Sequence, residues 1–190
     1  FDWLNPERRA TTAVGNVGGA HVPVVIVNGT GRETADSFGS DTTPDYIYCG
    51  GAMPEHRIDG VRYIVDFGSY DGSGNVFPVF PSNAIPFISL VNAPLKFLVL
   101  QFGTPVEEYT ACLKAHPEVV VVCMSNHRNR TGEQRALVHE MMCAGVSNPV
   151  VFAQMYSHDA QEKADMQLEA AADMGALMAD GIGDTIRVSL

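Results

Sequence analysis

Arg187 and Ser189 have the types and spacing for anion chemistry. Asp180-Gly181-Ile182-Gly183-Asp184, small and flexible, leads into the alternating segment 185–190 (TIRVSL), which reads as a strand. Alternation sets Arg187 and Ser189 on one face and Ile186, Val188 and Leu190 on the other. An Arg beside a Ser at a strand's carboxyl end suits a phosphate, which accepts from a guanidinium fork and a hydroxyl together. Further polar groups follow other apolar runs: Gln101, Ser125-Asn126-His127-Arg128, and Gln154-x-Tyr156-Ser157-His158. His127 and His158 are of the residue type suited to acid–base work, while Arg128 and Arg130 suit phosphate. The plainer reading of these stretches is polar loop, residues 126–130 being what the solvated approach to a helix looks like.

No metal or nucleophile motif stands out. The four cysteines, Cys49, Cys112, Cys123 and Cys143, include no Cys-x-x-Cys pair, and three lie in apolar runs where a thiol behaves as a small core side chain. Reduced cysteines predict a cytoplasmic setting. Tyr48-Cys49-Gly50-Gly51 presents a thiol with nothing nearby in sequence to lower its pKa. Gly18-Gly19 and Gly72-x-Gly74 do not stand between a strand and a helix as a dinucleotide loop must, so they read as turns. No Gly-x-Ser-x-Gly, His-Glu-x-x-His or P-loop pattern occurs.

Composition narrows the partners. A net charge of −10 argues against nucleic acid, which needs clustered Lys and Arg. No run of 18 apolar residues and no basic-then-apolar leader is visible, so neither membrane nor export is expected. Asp159, Glu162, Asp165, Glu169, Asp173, Asp180 and Asp184 crowd the last quarter and read mostly as a solvated helix face. At 190 residues and 46% hydrophobic, the chain suits a single domain with one core.

The elements that must position these groups are clearest after residue 95. Residues 96–102 (KFLVLQF) form a buried strand, and Thr104-Pro105-Val106-Glu107 reads as N-cap, first-turn proline and capping-box glutamate. Pro117 ends that helix near His116. Residues 118–124 (EVVVVCM) form the next strand, and Thr131-Gly132-Glu133-Gln134 reads as a second capping box, its helix closed by Gly145. Residues 150–153 form a third strand, followed by a helix over 160–179. On that helix Leu168, Ala171, Ala172, Gly175 and Met178 fall on one side, with Glu162, Asp165, Glu169 and Asp173 opposite. Strands apolar on both faces, alternating with helices, predict a parallel sheet with right-handed crossovers. Earlier strand candidates are 22–27, 46–49, 61–67, 76–80 and 87–91, with few helix signals between them. About eight strands, the early ones helix-poor, predict an α/β, TIM-barrel-like fold with a mostly parallel sheet, helices outside, and early helices shortened or missing. A doubly wound open sheet is the other reading. Residues 1–190 then form one domain: a leading linker (1–20), a strand-rich half (21–95) and a regular βα half (96–190).

Two stretches carry a family resemblance. Arg8-Arg9-x-Thr11-x-x-Val14-Gly15-Asn16-Val17, followed by Val22-Pro23-Val24-Val25-Ile26, resembles the approach to the first strand of the catalytic barrel of 4-hydroxy-3-methylbut-2-enyl diphosphate synthases. Ala171-Ala172-Asp173-Met174-Gly175-Ala176-Leu177 with 180–190 is similar to that barrel's last helix and strand. The family's Thr-Asn-Thr, Asp-Ile-His-Phe and Arg-Ile-Asn-Pro-Gly-Asn segments are missing, and so is its Cys-Pro-x-Cys cluster domain. A longer form of the synthase inserts a second barrel between catalytic barrel and cluster domain. Phe1-Asp2-Trp3 with the arginines after it, and Gly-Ala-Leu-x-x-Asp-Gly-x-Gly-Asp at 175–184, resemble the two ends of that insert.

The resemblance implies a structural and interaction domain with no catalytic residue, metal or cofactor of its own. Its partners would be the catalytic barrel and the [4Fe–4S] cluster domain of the same polypeptide, with flavodoxin or ferredoxin as the electron donor. Arg187, Ser189 and Arg128 remain as possible anion ligands, Arg187 and Ser189 being what the catalytic barrel's last strand also carries. From a different class, a stand-alone barrel enzyme for a phosphorylated metabolite would use Arg187, Ser189, Arg128 and His127 or His158.

Overall fold

The computed structural model describes residues 7–39, 42–156 and 163–189. Eight strands close into a barrel in sequence order, every neighbouring pair parallel. They are β1 (Val24–Asn28), β2 (Tyr46–Tyr48), β3 (Arg62–Asp66), β4 (Val76–Phe80), β5 (Lys96–Gln101), β6 (Val119–Met124), β7 (Val150–Met155) and β8 (Thr185–Ser189). Helices α1 (Val106–Ala115), α2 (Arg130–Cys143) and α3 (Lys163–Ala179) follow β5, β6 and β7. The parallel order of the late strands is the one expected, since a crossover helix returns the chain to the same end of the sheet.

The early half has no α-helix among the described residues. Loops and 3₁₀ turns (Ala35–Ser37, Phe67–Ser69 and Ser82–Leu90) cover the sheet there. Their apolar side chains Phe38, Met53, Ile58 and Tyr70 pack on the outward faces of β2, β3 and β4. Residues 87–91, read as a strand from their apolar run, instead form the end of the 3₁₀ segment (to Leu90) and the residue that follows it (Val91). Pro86 just before them fixes φ near −65°, which suits the 3₁₀ turn it sits in. Buried Lys96 fastens this segment by donating to the Ile88 carbonyl (3.0 Å) and to Glu118 (2.9 Å). Glu118 also meets His116 Nδ1 (3.0 Å), whose Nε2 meets Ser89 Oγ (3.0 Å).

Both helix starts differ from the capping boxes. Pro105 precedes α1 with no side-chain cap, the chain being already turned by proline at that point. Asn129, not Thr131, caps α2, its Oδ1 accepting from Gly132 N (3.1 Å). Glu133 instead accepts from Ser125 Oγ (2.6 Å), which fixes the β6–α2 turn.

Two apolar layers hold the barrel. Phe80, Leu98, Leu100, Val119, Val121, Cys123 and Phe152 face outward under the helices. Tyr46, Phe97, Val120, Val122, Val151 and Ala153 fill the interior, with Phe77 and Val99 packed against them. Gln134 on α2 is fully buried and donates to the carbonyls of Cys123 (2.9 Å) and Ala153 (3.1 Å), and Gln154 donates to it (2.7 Å). That chain continues to Tyr156, whose hydroxyl donates to Gln154. Buried amides are thus satisfied by one another, as a low-dielectric interior demands.

Helix α3 turns Met166, Ala170, Met174 and Leu177 to the barrel. The Leu168–Ala171–Gly175 side of the apolar stripe stays in the open.

Candidate functional site

The two ends of the barrel carry different polar clusters, and the sequence pointed to members of both. At the amino end, the two halves of the resemblance meet. Asp184, 1% exposed, accepts from Arg8 Nη2 (2.8 Å), Thr11 Oγ1 (3.0 Å) and Val150 N (2.9 Å). Arg9 donates from its backbone to Gly181 O (2.7 Å) and from its guanidinium to Val146 O (2.8 Å) and Asn148 O (3.1 Å). Burial pulls the Arg9 pKa down, and the Asp184 charge opposes that. Val14 and Val17 then pair across a hairpin turn in which Gly15 has φ +59°. Their side chains plug the barrel floor, where Tyr46 Oη donates to Asn16 Oδ1 (2.5 Å). Desolvation raises the Tyr46 pKa to about 12. This constellation is a structural lock, because each of these donors and acceptors is spent on the protein itself.

The acidic last quarter is correspondingly less solvated than its composition implied. Asp184 is buried, Asp180 pairs with Arg135 (2.5 Å), and Glu169 and Asp173 pair with Arg130 (2.6 and 3.4 Å). Asp159 and Glu162 lie outside the described residues.

At the carboxyl end, Arg187 points into the mouth but does not stand free. Its Nε (3.0 Å) and Nη2 (2.7 Å) both donate to Asn28 Oδ1, and its guanidinium lies 4.2 Å over the Tyr48 ring. Tyr48 Oη donates to Asp66 Oδ1 (2.8 Å). Burial lowers the Arg187 pKa, against the pull of Tyr48 and Asp66. Burial first, then the Asp66 hydrogen bond and charge, raise that of Tyr48. The adjoining hollow, about 420 Å³, is lined by Tyr48, Asp66, Phe67, Gly68, Val79, Pro81 and Val99. A phosphate approaching Arg187 from this side meets the Asp66 carboxylate.

Asn28, Tyr48 and Asp66 were missed in the sequence. The available signal was that each is the last residue of its strand, the position that opens onto a barrel mouth.

The other candidates are not gathered around Arg187. Arg128 is exposed on the β6–α2 turn, with β7 lying between its strand and β8. Arg130 is consumed by Glu169, Asp173, the Met155 carbonyl (3.1 Å) and the Tyr156 ring (4.6 Å), which joins α2 to α3 rather than binding phosphate. His127 builds its own turn: Nδ1 accepts from Asn129 N (3.0 Å) and its backbone N–H donates to Ser125 Oγ (3.1 Å). Ser189 ends β8 opposite Met155. Ser157 and His158 lie outside the described residues.

The cysteines do not converge on a cluster or metal. Cys49 and Cys123 are buried in different apolar clusters, Cys112 is half-buried on α1, and Cys143 is exposed. Burial pushes the Cys49 thiol up to about 11 and raises Cys123 further, so neither is an activated thiolate. Among the described residues no three His, Cys, Asp or Glu side chains gather as metal ligands, and no helix is long and apolar enough to cross a membrane.

No family model matches the chain. Curated proteins do, along almost all of it, and they are named 4-hydroxy-3-methylbut-2-en-1-yl diphosphate synthase (flavodoxin). The one from Bacteroides thetaiotaomicron is 47% identical over 186 residues, covering 98% of this chain and 30% of its own length. That from Phocaeicola vulgatus is 44% identical over 189 residues, covering 98% and 30%. That from Porphyromonas gingivalis is 26% identical over 190 residues, covering 100% and 27%. The chain therefore spans about 30% of the length of the curated relatives it matches.

Proposed function

Because the chain belongs, as one segment, to the 4-hydroxy-3-methylbut-2-en-1-yl diphosphate synthase family, we propose that it is the inserted barrel of that enzyme. In this reading residues 1–190 form one domain that performs no chemistry and sets the spacing of its neighbours. Those neighbours are the catalytic barrel and the cluster-bearing domain of the same polypeptide. The whole enzyme reductively opens a cyclic diphosphate to hydroxymethylbutenyl diphosphate, with electrons from flavodoxin or ferredoxin. A [4Fe–4S] cluster supplies the electron transfer and belongs outside this chain, whose scattered cysteines do not fit it. The four free cysteines support a reducing, cytoplasmic setting.

The observation that carries the non-catalytic reading is the closure of the mouth on itself. Arg187 spends two donors on Asn28 and its face on Tyr48, and Asp66 supplies a carboxylate beside them. A group meant to hold a diphosphate is better placed among converging cations with its donors open.

Arg187→Met in the full-length synthase tests this. Turnover and KM should stay within about threefold of the parent, because no transition-state contact is removed. A loss of about a hundredfold in kcat would place this mouth in the reaction.

A further inference from the structure

The α3–β8–β1 flank of the barrel is built to receive one more helix. The inference rests on the inserted-domain reading and deepens it by naming the face and the segment that covers it. The apolar positions of α3 spread over roughly 200° of the helix, about twice what a single packing face uses, with exposed Gln167 dividing them into two halves. The half formed by Met166, Ala170, Met174 and Leu177 is buried on the barrel. The other half includes Leu168 (71% exposed), Ala171, Gly175 and Met178, a 3-4-3 spacing that offers a seam to a second helix.

Beside this half runs a groove of about 320 Å³, walled by Ala170, Ala171, Met174, Gly175 and Met178 and closed on the strand side by Ile186 of β8. A side-chain atom added at Gly175 would meet nothing within 4 Å, so a neighbouring backbone has room to approach. Across β8, the outward face of β1 leaves Val25 44% exposed, and Val22 just before it is 79% exposed. No described helix covers the seam where β8 pairs with β1.

The topology says what belongs there. Strands β5, β6 and β7 each send the chain back over the outside as a helix, and right-handed crossing lays each helix beside the previous one. Chain leaving the mouth end of β8 by the same rule descends over β8 and β1, alongside α3 and into the groove. The relatives are about three times as long as this chain, and on the inserted-domain reading the cluster-bearing domain follows it. We infer that residues following Leu190 in the full-length polypeptide form an amphipathic helix docked in the α3–β8–β1 groove. Its apolar side would lie on Leu168, Ala171, Gly175 and Ile186.

A photo-crosslinking amino acid placed at Ala171 of the full-length synthase identifies the occupant, and Ala171→Cys reports its cover. The crosslinked peptide should come from the same chain, within about 30 residues after Leu190, the length of one helix and its connection. Labelling of Ala171→Cys should be at least about tenfold slower than that of Ala111→Cys on the exposed side of α1. Crosslinking to residues 1–6, to a distant domain or to a second copy overturns the assignment, as does labelling as fast as at Ala111→Cys. None of these outcomes bears on whether the mouth binds an anion, so a failure here is separable from a failure of the non-catalytic reading.

Discussion

Asp184→Ala is expected to lower the unfolding free energy by about 3–5 kcal/mol, the range for removing one member of a buried, hydrogen-bonded pair. The carboxylate is 1% exposed and accepts from Arg8, Thr11 and the Val150 backbone. Its loss strands the Val150 N–H at the start of β7 and the Thr11 hydroxyl. It also leaves the nearby Arg9 guanidinium without the charge that offsets its burial. Arg8 remains a third exposed and recovers part of its hydration, which favours the lower end of that range. At roughly 2–4 °C per kcal/mol for a domain of this size, Tm should fall by on the order of 10 °C. Urea unfolding with an unchanged m-value checks it. Asp180→Ala, which removes only the half-exposed pair with Arg135, should cost less than about 1 kcal/mol. A loss below about 1 kcal/mol for Asp184→Ala would show that the amino-end lock does not hold the barrel shut.

Phe97→Ala should cost about as much, roughly 3–5 kcal/mol, for a different physical reason. The ring is fully buried inside the barrel, meeting Tyr46 edge-on with centroids 5.8 Å apart. Strands on every side prevent the wall from collapsing onto the vacancy, so the cavity persists and its lining loses contacts outright. Met155→Ala, at a 60% exposed position at the end of β7, should change stability by less than about 0.5 kcal/mol. Equal effects at the two positions would contradict a packed interior and restore the possibility of a ligand chamber.

The late βα half was legible because its strands are apolar on both faces and its breakers, Pro117 and Gly145, punctuate the pattern. Periodicity alone therefore gave three strands, three helices and their parallel order. Residues 87–91 were not legible, since four apolar residues in five do not say whether they pack as strand or 3₁₀ turn. Only Pro86, immediately before them, hinted at the outcome. The caps failed by a residue or two because Thr and Glu near a helix start can bond locally in several ways. Asn129 and Ser125 took the roles given to Thr131 and Glu133's backbone partner.

The site was half legible. Arg187 does face the mouth, as alternation requires, but its partners come from β1, β2 and β3, more than a hundred residues earlier in the chain. Conversely, Arg8, Arg9 and Thr11 of the first resembling stretch and Asp184 of the second fasten the opposite end. Local spacing and the resemblance singled out Arg187 and the amino-end residues but not Asn28, Tyr48 or Asp66, and could not say at which end of the barrel each would lie. The stripe on α3 shows the same limit. The pattern identified Leu168, Ala171, Gly175 and Met178 as one apolar side without distinguishing a side buried by the barrel from one left for a further helix.

Calorimetric titration of this chain with the cyclic diphosphate substrate of the synthases tests the non-catalytic reading most directly. A charge-assisted contact to one arginine contributes roughly 1.5–3 kcal/mol before ordering costs, which corresponds to millimolar affinity at best. Arg187 must also give up Asn28 and tolerate Asp66 before it can make that contact. The account predicts no detectable heat of binding at micromolar protein concentrations. A micromolar dissociation constant that Arg187→Ala abolishes would contradict it and return the barrel mouth to the chemistry.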